Sequence, residues 1–265
     1  MKKILGLGLV FLFGIFLASC QTQGVINTWA DIEDRGYFIV GLDDTFAPMG
    51  FRDSEGNLVG FDVDLAKEVS RRLGVEVRFQ PIDWDAKVLE LNAGTIDMIW
   101  NGLTITESRL EEMSFSFPYI ANSQIIMVKA GSTIETMDDL IGKTVGVQIS
   151  SASDDAVSSS EIFDDLGDYE RYDTFNLALI ELTNGTIDAV VIDEIMGRYI
   201  ISQNPSLYEV LEDNFGDETY GVGFRLESTD IRDQINAALI AMIEDGTAAE
   251  ISTTWFNEDI FLTNE

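Results

Sequence analysis

The sequence has no histidine, a single cysteine and few cations: 16 Lys and Arg stand against 47 Asp and Glu in 265 residues. Each shortage removes a class of function. Without His, a Ser–His–Asp or Cys–His nucleophile cannot be assembled, and a zinc site of the Cys/His type has no ligands. One Cys cannot form an internal disulfide. A formal net charge of −31 repels nucleic acid and leaves no basic patch for an anionic lipid surface. No metal or cofactor is expected. What remains is ample apolar material: 46% hydrophobic and 10% aromatic residues are enough for a true core rather than a disordered acidic chain. The length suits one large or two medium domains.

The N-terminus reads as a targeting segment. Lys2 and Lys3 precede an apolar run, Ile4–Leu17, and then Leu17-Ala18-Ser19-Cys20. A charged start, a short apolar stretch and small residues make an export signal. The run falls short of the ~20 residues needed to span a bilayer as a helix. Leu-Ala-Ser-Cys resembles the bacterial lipobox, in which the Cys is lipidated and becomes the first mature residue. An uncleaved anchor with an incidental Cys is the alternative. Residues 1–19 are thus expected to be a lipoprotein signal peptide, Cys20 the lipidation site and 20–27 a tether. Lipid chains on Cys20 would hold the protein outside the cytoplasmic membrane.

Beyond the tether, strand and helix signals alternate. Phe61, Leu65, Val69 and Leu73 recur every four residues and Gly74 follows, the pattern of a helix face with its C-terminal stop. Val75, Val77 and Phe79 alternate as a strand. A short helix at 86–91, closed by Gly94, leads to a strand at 96–100. Strands are also expected at 37–41, 125–129, 144–147, 187–192 and 221–224. Leu177–Leu182 reads as a helix stopped by Gly185, and Ile231, Ile235, Ala238, Leu239 and Met242 as one face of a late helix. The acidic, Ser-rich stretch 150–168 is a loop or a polar helix. Alternation of this kind predicts an α/β fold with mostly parallel sheets.

One tetrapeptide repeats: Gly94-Thr95-Ile96-Asp97 returns as Gly185-Thr186-Ile187-Asp188. Each copy ends a helix and opens a buried strand, either as a trace of duplication or as coincidence in a common junction. Gly102 and Asp193 lie eight residues after each first Gly, at the strands' C-terminal ends, where open α/β sheets bind ligands. Two such edges facing each other would form a cleft. The chain is expected to cross between lobes near 119–123 and 213–219, giving lobe 1 from 28–120 plus 218–265 and lobe 2 from 124–213.

Several runs carry a more specific signal. They are Val40-Gly41-Leu42-Asp43-Asp44-Thr45-Phe46-Ala47-Pro48, Gly60-Phe61-Asp62-Val63-Asp64-Leu65-Ala66, Asn101-Gly102-Leu103-Thr104-Ile105-Thr106-Glu107-Ser108-Arg109, Phe115-Ser116-Phe117-Pro118-Tyr119, Leu140-Ile141-Gly142-Lys143-Thr144-Val145-Gly146-Val147-Gln148 and Asp188-Ala189-Val190-Val191-Ile192-Asp193. In this order they resemble the family 3 extracellular solute-binding proteins, the polar amino-acid receptors of ABC importers. The resemblance covers about residue 35 to Phe256. It implies a two-lobe, type II periplasmic-binding-protein fold with a hinge, no enzymatic activity, a free amino acid as ligand, ABC permease subunits as partners and a monomeric state.

The resemblance also assigns a site. A free amino acid brings a carboxylate and an ammonium, and burying either one unpaired is costly. Arg109, whose planar fork suits a carboxylate, takes the first, helped by the hydroxyl and N–H of Thr104, and the turn Asn101-Gly102-Leu103-Thr104 supplies a backbone carbonyl for the ammonium and an N–H for the carboxylate. A surface pair with Glu111 or Glu112 is the competing role for Arg109. Ser151 and Ala152 stand where the family usually has Gln-Gly-[ST]-[ST]. Here Ser150 replaces the Gly, and Ala152 lacks the second hydroxyl. An N-cap alone would also explain Ser151. Asp193 meets the ammonium, unless it pairs with Arg198. Phe46 and Trp84 flank the ligand side chain or simply pack in the core. Asp43 occupies the position that meets a distal cation in lysine-, arginine- and ornithine-binding members, and Asp44 adjoins it, which favours a polar or basic ligand. A dehydratase-type enzyme using Asp43, Asp44 or Glu194 and a ligand-sensing ectodomain are the competing functions.

Overall fold

The computed structural model describes residues 28–262. The signal segment, Cys20 and the tether lie outside the described residues. In chain order, helix α1 (Trp29–Arg35) leads to strand β1 (Tyr37–Leu42), a small antiparallel meander of β2 (Thr45–Phe46), β3 (Gly50–Arg52) and β4 (Leu58–Val59), and helix α2 (Phe61–Leu73). Then follow β5 (Glu76–Pro81), α3 (Lys87–Ala93) entered through a 3-10 turn at Trp84–Ala86, β6 (Met98–Ile99), α4 (Glu107–Glu112) and β7 (Ser114–Phe115). A long strand, β8 (Ile120–Lys129), precedes β9 (Thr144–Gln148), α5 (Ala152–Ser158), β10 (Asp168–Tyr172), α6 (Phe175–Asn184), β11 (Ala189–Asp193) and α7 (Glu194–Gln203). The chain returns through the long β12 (Tyr208–Tyr220) to β13 (Gly223–Phe224), α8 (Thr229–Glu244) and α9 (Thr247–Phe256).

Two five-stranded sheets result, ordered β5-β1-β6-β13-β7 and β10-β9-β11-β8-β12. They are the cores of two lobes. The apolar spacing explains the helices on them. In α2, Phe61, Leu65, Ala66 and Val69 are fully buried, and Gly74 ends the helix in the left-handed conformation. In α8 the buried residues are Ile231, Ile235, Ala238, Leu239 and Met242, the five that the periodicity had placed on one face.

The sheets are mixed rather than mostly parallel. β5, β1 and β6 run parallel, as do β10, β9 and β11. β13 and β8 are antiparallel to their neighbours. The cause is the crossing itself. β8 leaves the first lobe and β12 returns to it alongside, so the two run antiparallel over most of their length, with register irregularities between Val210 and Asp217. Adjacent strands that carry the chain out and back cannot run the same way. Their first-lobe ends are fastened: Tyr220 bridges to Thr104, and Ile120 to Phe261.

The polar stretch after Val147 is neither a plain loop nor one continuous helix. It holds α5 and a 3-10 turn at Phe163–Asp165. α5 packs because Ala152, Ser153 and Val157 are buried on one side.

The repeated tetrapeptide forms the same local structure twice. Gly94 and Gly185 both close a helix in the left-handed region, with φ of 74° and 78°. Thr95 N–H donates to Glu90 O and Thr186 N–H to Glu181 O. The N–H groups of Asp97 and Asp188 then bond the neighbouring parallel strand, at Ile39 O and Thr144 O.

Candidate functional site

The strand ends of both sheets converge on one cavity between the lobes. All ten residues that the sequence nominated line it: Asp43, Phe46, Trp84, Asn101, Gly102, Thr104, Arg109, Ser151, Ala152 and Asp193. Gln148 and Phe175, which were not nominated, line it too.

Arg109 is carried by α4, whose N-cap, the Thr106 hydroxyl, accepts from the Arg109 N–H at 3.2 Å. The side chain is 5% exposed and turns inward. Nη1 donates to Thr104 O at 2.9 Å and Nη2 to Ser150 O at 3.3 Å. Among the described residues no carboxylate forms an ion pair with it. The competing pair with Glu111 or Glu112 is not made. Burial pulls its pKa below the usual arginine value, against the longer-range pull of Asp155, Glu218 and Asp193. A buried guanidinium held, among the described residues, by neutral carbonyls can still pair with an anion.

The turn after β6 completes this side. Gly102 has φ +59°, and a Cβ there would lie 2.7 Å from the Phe46 ring, so any side chain would strain the backbone and displace the aromatic wall. Its N–H donates to Asp62 Oδ2 at 2.8 Å. Burial lifts the Asp62 carboxyl to about 7, with the Gly102 N–H and the Tyr119 hydroxyl acting against the rise. Asn101 Oδ1 accepts from the Asp43 N–H at 3.1 Å, while its buried Nδ2 has no acceptor among the described residues. The Thr104 hydroxyl lines the cavity but is already engaged. It donates to Glu218 Oε1 at 2.8 Å, because the hinge strand brings an unforeseen carboxylate beside it.

On the second lobe Ser151 is the N-cap of α5, its hydroxyl accepting from Asp154 N–H at 3.1 Å. Ser150 stands in the left-handed region at φ +57°, which costs a residue with a Cβ about 1 kcal/mol. Its N–H donates to Asp154 Oδ2 at 2.9 Å. Asp193 ends β11 and is 4% exposed. Oδ1 accepts from Asn122 Nδ2 (2.8 Å), Gln124 Nε2 (3.0 Å) and Tyr220 OH (2.7 Å). Arg198, the competing partner, bonds Glu194 instead. Burial and the neighbouring Glu218 push Asp193 up to about 7, against the Tyr220, Gln124 and Arg109 interactions.

The cavity's outer end is a carboxylate capped from both lobes. Asp43 Oδ1 accepts from Thr45 N–H and Oγ1, and Oδ2 accepts from Gln148 Nε2 at 2.8 Å. Asp44 turns away to Arg52, at 2.7 Å. Phe46 meets Phe175 of the other lobe at a centroid distance of 6.0 Å. Lys87, 4% exposed, lies 5.0 Å from the Trp84 ring and donates to Ser150 O at 2.8 Å. Burial, then the nearby Arg109, lower it to about 7. Asn176 Nδ2 reaches Thr45 O at 3.3 Å. Gln148, Lys87 and Asn176 thus tie one lobe to the other.

The match to the model of the bacterial extracellular solute-binding proteins, family 3, spans residues 38–258. The chain belongs to this family. Family 3 proteins are extracytoplasmic, and so is this one. The L-cystine-binding protein TcyJ of Escherichia coli (strain K12) is 30% identical over 249 residues, 93% of this chain and 91% of that protein. The histidine-binding periplasmic protein of Escherichia coli (strain K12) is 32% identical over 239 residues, 84% and 88% of the two chains. Among solved structures, an ABC uptake transporter substrate-binding protein from Streptococcus pneumoniae with bound histidine superposes with a TM-score of 0.85 at 38% identity, covering 89% of this chain and 98% of that one. Tv2483 bound to L-arginine gives 0.86 at 30% identity, covering 89% and 97%. These relatives are receptors, not enzymes, in agreement with the non-enzymatic expectation. Their two-lobe architecture is that of the present fold.

Proposed function

We propose that this family 3 receptor holds a free polar amino acid in the interlobe cavity and delivers it to an ABC importer by hinge closure. The ligand carboxylate sits on Arg109 with the Asn101–Thr104 turn and the Ser151–Ala152 backbone. Its ammonium sits on Asp193. Its side chain lies between Phe46 and Trp84 and points at Asp43. The observation that carries this reading is a buried Arg109 without a carboxylate partner, facing a buried Asp193 across one cavity. A zwitterion supplies what each of them needs. Asp43 keeps acceptor capacity on Oδ2 beside Gln148, since a carboxylate has about four lone-pair sites. That favours a basic side chain, and relatives named for histidine and solved with arginine agree with it.

The lobes in this proposal are 28–120 plus 218–265 and 124–213, joined through β8 and β12. Cys20 carries the lipid that tethers a monomer to the membrane beside its permease. Ligand contacts to both lobes shift the hinge toward closure. The test is a thermal-shift screen of the standard amino acids and cystine, then calorimetry on the hit with Arg109→Ala. Removing one partner of a buried charge pair costs about 2–5 kcal/mol, so affinity should fall by roughly 30-fold to several thousand-fold with the fold intact. Unchanged affinity overturns the assignment.

A further inference from the structure

Glu218 stands beside the site on the returning hinge strand, opposite Asn122 of β8. Its Oε1 accepts from the Thr104 hydroxyl of the first lobe (2.8 Å) and from two amides of β8, Asn122 Nδ2 (2.5 Å) and Gln124 Nε2 (2.9 Å). The same two amides donate to Asp193 Oδ1. Two carboxylates therefore draw on one set of donors, and like charges so placed do not both ionise freely.

We propose that Glu218 is a positioning residue for the ammonium site: drawing on the same amides, it makes Asp193 keep a proton until a ligand ammonium displaces that proton to solvent. The proposal rests on the amino-acid reading above. The balance is simple. The Asp193 O–H breaks, the proton goes to the buffer, and the arriving –NH3+ offers its own N–H groups to the carboxylate left behind.

The surroundings leave this pair to itself. β12 presents Glu218 and the Tyr220 hydroxyl to Asp193, and Tyr220 in turn feels the Tyr119 phenol. β8 presents only the neutral amides of Asn122 and Gln124. From α4 comes the Arg109 guanidinium, itself influenced by Asp155 on α5 and Lys87 on α3. On Asp193's own helix Glu194 turns away to Ser123 and Arg198. Burial and Glu218 together lift Asp193 to about 7.

The test is a carbon-13 carboxyl titration of the ligand-free protein, with calorimetry at pH 6 in two buffers of different ionisation enthalpy. The probe is L-arginine, which has no group titrating between about 5 and 7. Wild type, Glu218→Gln and Glu218→Asp are compared. In wild type Asp193 should titrate near 7 and about one proton should leave per arginine bound. In Glu218→Gln the titration should move down toward the usual carboxylate range, short of it because burial still raises Asp193, and the proton release at pH 6 should shrink, with both restored in Glu218→Asp. An Asp193 titration that ignores the Gln substitution overturns the proposal, even if melting drops, because a merely structural Glu218 would behave so. An ordinary wild-type Asp193 titration overturns it as well. If Glu218→Gln does not fold, Thr104→Val removes one donor from Glu218 and should move the Asp193 titration; no movement is again a refutation. Absence of arginine heat in every protein would count against the basic-ligand reading, while the carboxyl titration still decides the role of Glu218.

Discussion

The two Gly-Thr-Ile-Asp junctions share backbone and sequence but not surroundings. In the first lobe Asp97 has no exposed side-chain surface, accepts the Ile39 N–H at 2.7 Å and is held between Arg35 and Arg225. Arg225 also caps the carbonyls of Leu91 and Ile96 at 2.7 Å each. In the second lobe Asp188 is exposed and, among the described residues, accepts only the Thr144 N–H, at 2.9 Å. The same carboxylate is the centre of a buried ion cluster in one lobe and a solvated strand cap in the other. Four identical residues thus fix local geometry, while the energetic weight of each comes from what the rest of the lobe packs against it.

The sharpest way to break this comparison is to remove both carboxylates in turn. Asp97→Ala leaves Arg225 buried without its anion and should destabilise by about 3–5 kcal/mol. Asp188→Ala removes one hydrogen bond from an exposed position and should cost under about 1 kcal/mol. Urea unfolding of the two variants measures the difference, and equal losses would refute the contrast.

A second pair of carboxylates sharpens it. Asp62 and Asp193 are buried, one per lobe, and both are lifted to about 7. Between their unfolded values near 4 and about 7 the folded chain holds protons that the unfolded chain has released, so stability falls as pH rises through that window. Lys87, lowered to about 7, acts above it: there the unfolded chain binds the extra proton and stability is regained as pH rises further. The ligand-free melting temperature should therefore drop between pH 5 and 7. A bound amino acid should cancel the part due to Asp193 and leave the part due to Asp62, which faces Gly102 and Tyr119 rather than the cavity. Asp62→Asn with and without ligand separates the two, and a profile flat from pH 5 to 7 would contradict both shifts.

The smallest difference between the two junctions should lie at their helix stops. Gly94→Ala and Gly185→Ala each force a Cβ into the left-handed region and should each cost about 1 kcal/mol. Thermal melts that differ widely between them would show that the two helix stops are not equivalent.

Much of the fold was legible because period and punctuation agreed. Phe61 to Leu73 with Gly74, and Ile231 to Met242, needed no tertiary information to be placed. The mixed sheets were not legible, since β13 has two residues and the direction of β8 follows from where the chain re-enters, not from its own pattern. Within the site, the motif residues were readable, but Lys87, Gln148, Phe175 and Glu218 were not. Lys87 reads as the polar face of a short helix and Phe175 as core. Each acquires its place only when the opposite lobe arrives. Gln148 ends the run that begins at Leu140, but its reach to Asp43 exists only across the closed cleft. Glu218 lies in an acidic stretch where one carboxylate among many carries no mark.

The contacts that Gln148, Lys87 and Asn176 make across the cleft involve only the protein's own atoms. They give the shut form a stability of its own, which lowers the conformational tax on affinity, since a ligand need not supply all of the closing free energy. The same contacts narrow the difference between a loaded and an unloaded receptor as seen from outside. A transporter that reads shape alone would then accept empty deliveries. How firmly these three side chains hold the cleft therefore sets a compromise between capturing scarce solute and reporting truthfully that it has been captured.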